Sequence, residues 1–180
     1  YLIYHRDSII SQEDLIRALW PDSRRIDPVT SLKTLIYRTR KLLQEYGFPK
    51  GSRSAIHVKN STFRWWPQLP CEIDLVHFNA LYDRCMAIPQ DSSELPTQET
   101  LGLFQEAFTL YGGHFLMDYT YEPWVVPVQE RYRRTYRALT ARYLKLLMRA
   151  GEYESAVKTS RAALRLEPYD NFFHEALLRA

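Results

Sequence analysis

Residues 27–46, DPVTSLKTLIYRTRKLLQEY, decide how the rest of the chain is read. They predict a helix of about five turns. Asp27 can accept hydrogen bonds from the first free N–H groups, Pro28 suits the first helical position, and Gly47 follows the last periodic residue. On a helical wheel Leu32, Leu35, Ile36, Thr39, Leu42, Leu43 and Tyr46 share one side and form the expected core face. The other side carries Thr30, Lys33, Thr34, Tyr37, Lys41 and Gln44, flanked by Arg38 and Arg40. This face is basic, rich in donors and carries an aromatic ring, as a helix lying in a DNA major groove requires. A merely solvated amphipathic helix would show the same charges, so the flanking sequence has to decide.

Upstream, YLIYH (Tyr1 to His5) is apolar and reads as the end of a helix that begins before the sequence. No initiator methionine opens the chain, so a piece of a longer polypeptide is expected. SQEDLIRALW then opens with a near capping box, Ser11 as the cap and Asp14 at the third helical position, and Pro21 ends this second helix. PDSRRID is a polar turn. Downstream, AIHVKNSTFRWW alternates Ile56 and Val58 with His57 and Lys59, then Phe63 and Trp65 with Arg64 and Trp66. Asn60 and Ser61 stand between the runs, so the stretch predicts a β-hairpin whose tip, Lys59, Asn60, Ser61, Thr62 and Arg64, offers donors to phosphates. Helix, turn, helix, polar loop, longer basic helix and hairpin is the order of a three-helix DNA-binding core with a wing.

Charge divides the chain in two. Residues 1–70 hold 12 Lys and Arg against 6 Asp and Glu, a net of +6, whereas residues 71–180 hold 12 against 15, a net of −3. The basic half is the one expected to meet a polyanion. The reading places a winged-helix domain at residues 1–69, its N-terminal part missing, and a helical domain at 70–180, joined by the proline-rich PQLP. At 46% hydrophobic and 14% aromatic content the chain can build real cores. No run approaches the roughly 18 apolar residues of a membrane span, and the opening is not a signal peptide, so no membrane partner and a cytoplasmic location are expected. Cys71 and Cys85 stand fourteen apart without a CxxC pair, which indicates neither a disulfide framework nor a zinc site.

Beyond PQLP the periodicity is helical. Residues 72–88 repeat Ile73, Leu75, Phe78, Leu81, Tyr82 and Cys85, and residues 100–111 repeat Leu103, Phe104, Ala107, Phe108 and Tyr111. Residues 122–150 predict a long helix with Pro127 near its start. Gly151, Tyr153, Ala156, Ala163 and Pro168 then fall at the spacing of a tetratricopeptide unit, and another helix starts after Pro168. The fold class expected is mainly α: a winged helix-turn-helix, three helices plus a β-hairpin wing, followed by a helical tetratricopeptide-like domain, incomplete at its C-terminus.

LWPD at Leu19 to Asp22, SLKTLIYRTRKLL at Ser31 to Leu43 and FRWWP at Phe63 to Pro67 resemble the response-regulator type of winged helix of antibiotic-regulatory-protein (SARP) activators. Glu106 and Ala107, followed by GGHFL and then by EPW, resemble the degenerate first repeat of the bacterial transcriptional activator domain that follows it. Thr39 replaces the leucine usual in the family's third helix, and the β-strands that precede the first helix in the family are not in this sequence. The resemblance implies a transcriptional activator that binds double-stranded DNA, typically as a homodimer. It implies that Lys33, Thr34, Tyr37, Arg38, Arg40 and Lys41 face the groove and that Lys59, Asn60, Thr62 and Arg64 form the wing contacts. Ser23, Arg24 and Arg25 would form a loop turned toward RNA polymerase.

No phosphate-binding glycine loop, GxSxG, HExxH or clustered carboxylate–histidine set is present, so catalysis, a metal and a cofactor are not expected. Tyr119, Tyr121 and Trp124 suit packing between repeats or a peptide groove. The alternative function is a repeat-based protein-interaction module in which the winged helix is an adaptor that binds no DNA.

Overall fold

A computed structural model describes residues 1–21, 27–51, 54–66, 70–90, 95–119 and 121–180. The described residues are mainly helical with a small three-stranded sheet. They divide into two compact units, Tyr1–Cys71 with Glu122–Trp124, and Glu72–Tyr121 with Val125–Ala180.

The first unit contains β1 (Ile10–Ser11), α1 (Gln12–Leu19), α2 (Pro28–Glu45), β2 (Ile56–Lys59) and β3 (Thr62–Trp65), with antiparallel strands in the order β1-β3-β2. Helix α1 starts where Ser11 Oγ accepts from the Asp14 N–H at 3.0 Å. Helix α2 starts where the Asp27 carboxylate accepts from the Thr30 N–H at 2.9 Å, with Pro28 in the first turn. Hydrogen bonding to Thr30 holds the Asp27 carboxyl below its ordinary range. At the other end Gly47 takes φ +89, and the N–H groups of Gly47 and Phe48 reach the carbonyls of Gln44 and Leu43 at 3.1 and 3.0 Å. This double bond pattern closes the helix and needs a residue that tolerates positive φ. The β2–β3 turn holds Asn60 and Ser61 at φ 47 and 56, the left-handed pair whose twist matches that of the strands it joins. The register sets Ile56 opposite Trp65 and Val58 opposite Phe63. Ile10, Leu15, Leu32, Ile36, Ile56, Phe63 and Trp65 are buried around them.

Three expectations need correction here. Tyr1–His5 forms successive turns, closed by His5 N–H to Tyr1 O at 3.0 Å, so the first unit holds two α-helices among the described residues. Strand β1 had no counterpart in the sequence reading; two residues are too short for an alternation to register. On α2 only Leu32 and Ile36 are buried, while Leu35, Leu42 and Tyr46 are 39, 53 and 77% exposed. A short sheet and one short helix cover a narrower stripe than the wheel offers.

The second unit contains α3 (Asp74–Ala87), α4 (Gln98–Leu110), a 3-10 turn at Met117–Tyr119, α5 (Val125–Arg149), α6 (Tyr153–Leu166) and α7 (Asn171–Arg179). Consecutive helices pack on one another, and α5 also packs on α3 and α7. Helix α5 starts three residues later than the spacing predicts, with Glu122–Trp124 belonging to the first unit. Its inner face is aromatic: Tyr136 stacks on Tyr111 at 4.2 Å and on Phe108 at 5.7 Å, and Tyr143 stacks on Phe104 at 6.1 Å. Gly151 makes the α5–α6 turn at φ +75, and the fully buried Ala156 and Ala163 let α6 approach its neighbours closely.

Three arginines of α5 tie the unit together. Arg142, buried, donates to the carbonyls of Met86 (3.2 Å) and Ile88 at the C-terminal end of α3, where carbonyls lack helical partners. Arg133 donates from Nε and Nη2 to Glu167 at 2.5 and 2.6 Å, while His114 Nε2 lies 3.2 Å from the Leu166 carbonyl. Arg137 pairs with Asp170, which also caps α7 by accepting from the N–H groups of Phe172 and Phe173.

The Arg133–Glu167 pair is asymmetric, with side-chain exposures of 52 and 7%. Arg133→Ala strands a buried carboxylate and is expected to cost about 2–3 kcal/mol, whereas Glu167→Ala leaves a guanidinium that water can solvate and should cost about 1 kcal/mol. Urea unfolding of the two variants checks the order. Burial pushes the phenols of Tyr111 and Tyr136 up to about 12 from the ordinary 10. The fold therefore favours their neutral forms, a contribution complete below pH 10 and lost as pH rises from about 10 to about 12. Absorbance titration should show a tyrosine phase above pH 10 that coincides with unfolding.

Candidate nucleic-acid interface

The exposed side of α2 is built by the same turn-by-turn spacing that buries Leu32 and Ile36 on the other. Lys33, Thr34, Tyr37, Arg38 and Lys41 are all exposed. Among the described residues the ion pairs of the first unit are Arg6–Asp7 and Arg17–Asp14, at 3.6 and 3.4 Å, so no carboxylate lies within 4.0 Å of this row, and Lys33 acts at longer range on the capping Asp27 carboxylate. Thr34 Oγ donates to the Thr30 carbonyl at 2.9 Å. Its hydroxyl proton is thereby committed, leaving oxygen lone pairs and a methyl group for contact with a base edge.

Arg40 does something else. It is half-buried, and its Nε and Nη2 both donate to the Ile56 carbonyl, at 3.1 and 2.5 Å. The guanidinium joins the last third of α2 to the first residue of β2 and does not stand in the exposed row.

At the hairpin, Lys59 and Asn60 project from the exposed tip. Thr62 Oγ1 donates to the Lys59 carbonyl at 2.6 Å, and the Ser61 carbonyl accepts from the Gln12 N–H at 2.9 Å. The first bond closes the turn on itself, and the second holds it against the start of α1. Arg64 lies with its guanidinium carbon 4.0 Å from the centre of the Trp66 ring, a cation–π arrangement, and its Nε is buried. Trp66 thus takes a role at the wing that periodicity alone does not assign to it. Its spacing of two from Arg64 in FRWW, which puts both on one face of a strand, was the available signal. The structure thus brings Lys33, Thr34, Tyr37, Arg38 and Lys41 onto one helix face and sets Lys59 and Asn60 on the hairpin tip. Arg40 and Arg64 are engaged within the unit, and Ser23, Arg24 and Arg25 lie outside the described residues.

No helix among the described residues is long and apolar enough to cross a membrane. Cys71 and Cys85 are free thiols, and burial pushes the Cys85 thiol up to about 11, far from a reactive thiolate. No curated protein and no solved structure matches the sequence. Residues 73–180, which cover the five helices of the second unit, match the family described as the bacterial transcriptional activator domain. The chain belongs to the bacterial transcriptional activator domain family.

Proposed function

We propose that this chain is a DNA-binding transcriptional regulator, an activator, that docks α2 in the major groove of duplex DNA and lays the β2–β3 hairpin on adjacent backbone as a wing. The observation that carries the reading is the exposed row Lys33, Thr34, Tyr37, Arg38 and Lys41 on α2, in a chain whose remainder belongs to a family of transcription regulators. In this reading Arg38 reaches a base edge, where a guanidinium can make two parallel bonds to guanine, and Lys33, Lys41 and Lys59 meet phosphates. The second unit acts as a tetratricopeptide-like array that pairs two copies on DNA or couples a signal. The loop with Ser23, Arg24 and Arg25 faces RNA polymerase.

Duplex selected for binding from a random pool provides the test. Arg38→Ala should weaken binding by about 1–3 kcal/mol and relax preference at one base position. Lys41→Ala should weaken all sequences alike and lower the salt slope by about one. If the double variant binds like the parent at about 0.1 M salt, where phosphate contacts still count, the groove assignment fails.

A further inference from the structure

The second unit separates its charge sharply. Helix α5 carries seven Lys and Arg and one Glu, a net of +6, while the rest of residues 71–180 carries five against fourteen, a net of −9. Two of the seven, Arg133 and Arg137, pair with Glu167 and Asp170, and a third, Arg142, is buried under the end of α3. The remaining cations are not scattered. Arg131, Arg134, Lys145 and Arg149 are all exposed and fall on one side of the helix, with Ala138 and Ala141 between the two pairs. From Arg131 to Arg149 the stripe runs about 27 Å along the axis. It contains no acidic residue.

The local contacts leave Arg131, Arg134 and Lys145 available. Arg134 donates only Nε to the Glu130 carbonyl, at 3.2 Å, and the Arg131 guanidinium lies 6.0 Å from the Tyr132 ring centre. Lys145 Nζ lies 5.9 Å from the ring of Phe172. Among the described residues no carboxylate oxygen lies within 4.0 Å of Arg131, Arg134 or Lys145. Beside the stripe Gln90, Ala138, Ala141, Arg142, Lys145 and Leu146 border a depression of about 220 Å³.

We infer that this face of α5 is a second contact surface for duplex DNA, taking phosphodiester backbone outside the segment held by α2; the inference rests on the reading of the chain as a DNA-binding regulator. A protein partner would need large buried anchors, and the stripe offers two alanines between its charges. A polyanion needs only cations in a row with nothing tall between them. The small side chains meet that requirement by letting a strand of phosphates pass close to the helix. With Arg133 and Arg137 paired to Glu167 and Asp170, the exposed cations that α5 keeps on an otherwise acidic unit also orient it toward a polyanion.

The test is fluorescence anisotropy of the full chain on a random duplex of about forty base pairs at several salt concentrations. Arg131→Gln, Arg134→Gln and Lys145→Gln together should lower the slope of log affinity on log salt by about 2–3, close to 0.9 per lost contact, and weaken binding roughly tenfold or more at 0.1 M salt. A companion with Arg131→Lys and Arg134→Lys keeps the charge and should keep the slope, which separates loss of charge from loss of fold. If the glutamine variant retains the parental slope while Arg38→Ala with Lys41→Ala weakens binding, the inference fails and the proposed function stands. If only the glutamine variant weakens binding, the α5 surface stands and the α2 assignment fails. Binding of poly-glutamate that the glutamine variant loses, with the DNA slope unchanged, would assign the stripe to an acidic protein and overturn the inference.

Discussion

The two hydrogen bonds from Arg40 to the Ile56 carbonyl hold the first unit in one frame. Helix α2 and the β2–β3 hairpin are separated by residues 46–55, and the sheet that the hairpin completes is small. A charged donor on a neutral carbonyl contributes about 1.5–3 kcal/mol when partly buried, comparable to a large buried side chain. It also acts with direction, which apolar packing does not. The row on α2 and the tip of the hairpin can work as one surface only if the angle between them is set, and Arg40 is the polar tie that sets it. The same geometry explains why one arginine in a basic helix faces inward while Arg38, two residues earlier, stays in water.

In the second unit the corresponding role falls to α5. Its inner face stacks aromatic rings from α4 and its C-cap, its arginines hold the carbonyls of α3 and the acids of the α6–α7 turn, and what remains of its charge faces outward. A helix so tightly constrained on its inner side can carry exposed cations without fraying, because its stability comes from packing and not from its own surface. An acidic surround and a cationic spine then coexist in one fold.

What was legible in the sequence is what depends on neighbours in the chain. The caps at Ser11 and Asp27, the closing Gly47 and the turn at Asn60 and Ser61 are local chemistry, and each stands where its residues indicated. The alternation of Ile56, Phe63 and Trp65 named buried side chains because a hairpin fixes its own register. What escaped depends on residues far apart. Strand β1 exists because Ile10 and Ser11 pair with Phe63 and Thr62, a partnership invisible in a two-residue run. Leu35, Leu42 and Tyr46 match the wheel as well as Leu32 does, yet the width of the covering elements leaves them in water. Arg40 read as one more cation on a basic helix, and only its reach to a carbonyl sixteen residues on distinguishes it from Arg38. Of the candidate site, the α2 row could be read from periodicity, whereas the placement of Arg64 over Trp66 needed coordinates.

The central claim is that the first unit is a polyanion-binding surface, and the salt dependence of duplex binding by the unaltered chain tests it most directly. The three phosphate contacts assigned to that surface, Lys33, Lys41 and Lys59, predict that log affinity falls against log salt with a slope of at least about −3. A flat, weak response across the same range would contradict the account and make the first unit a scaffold.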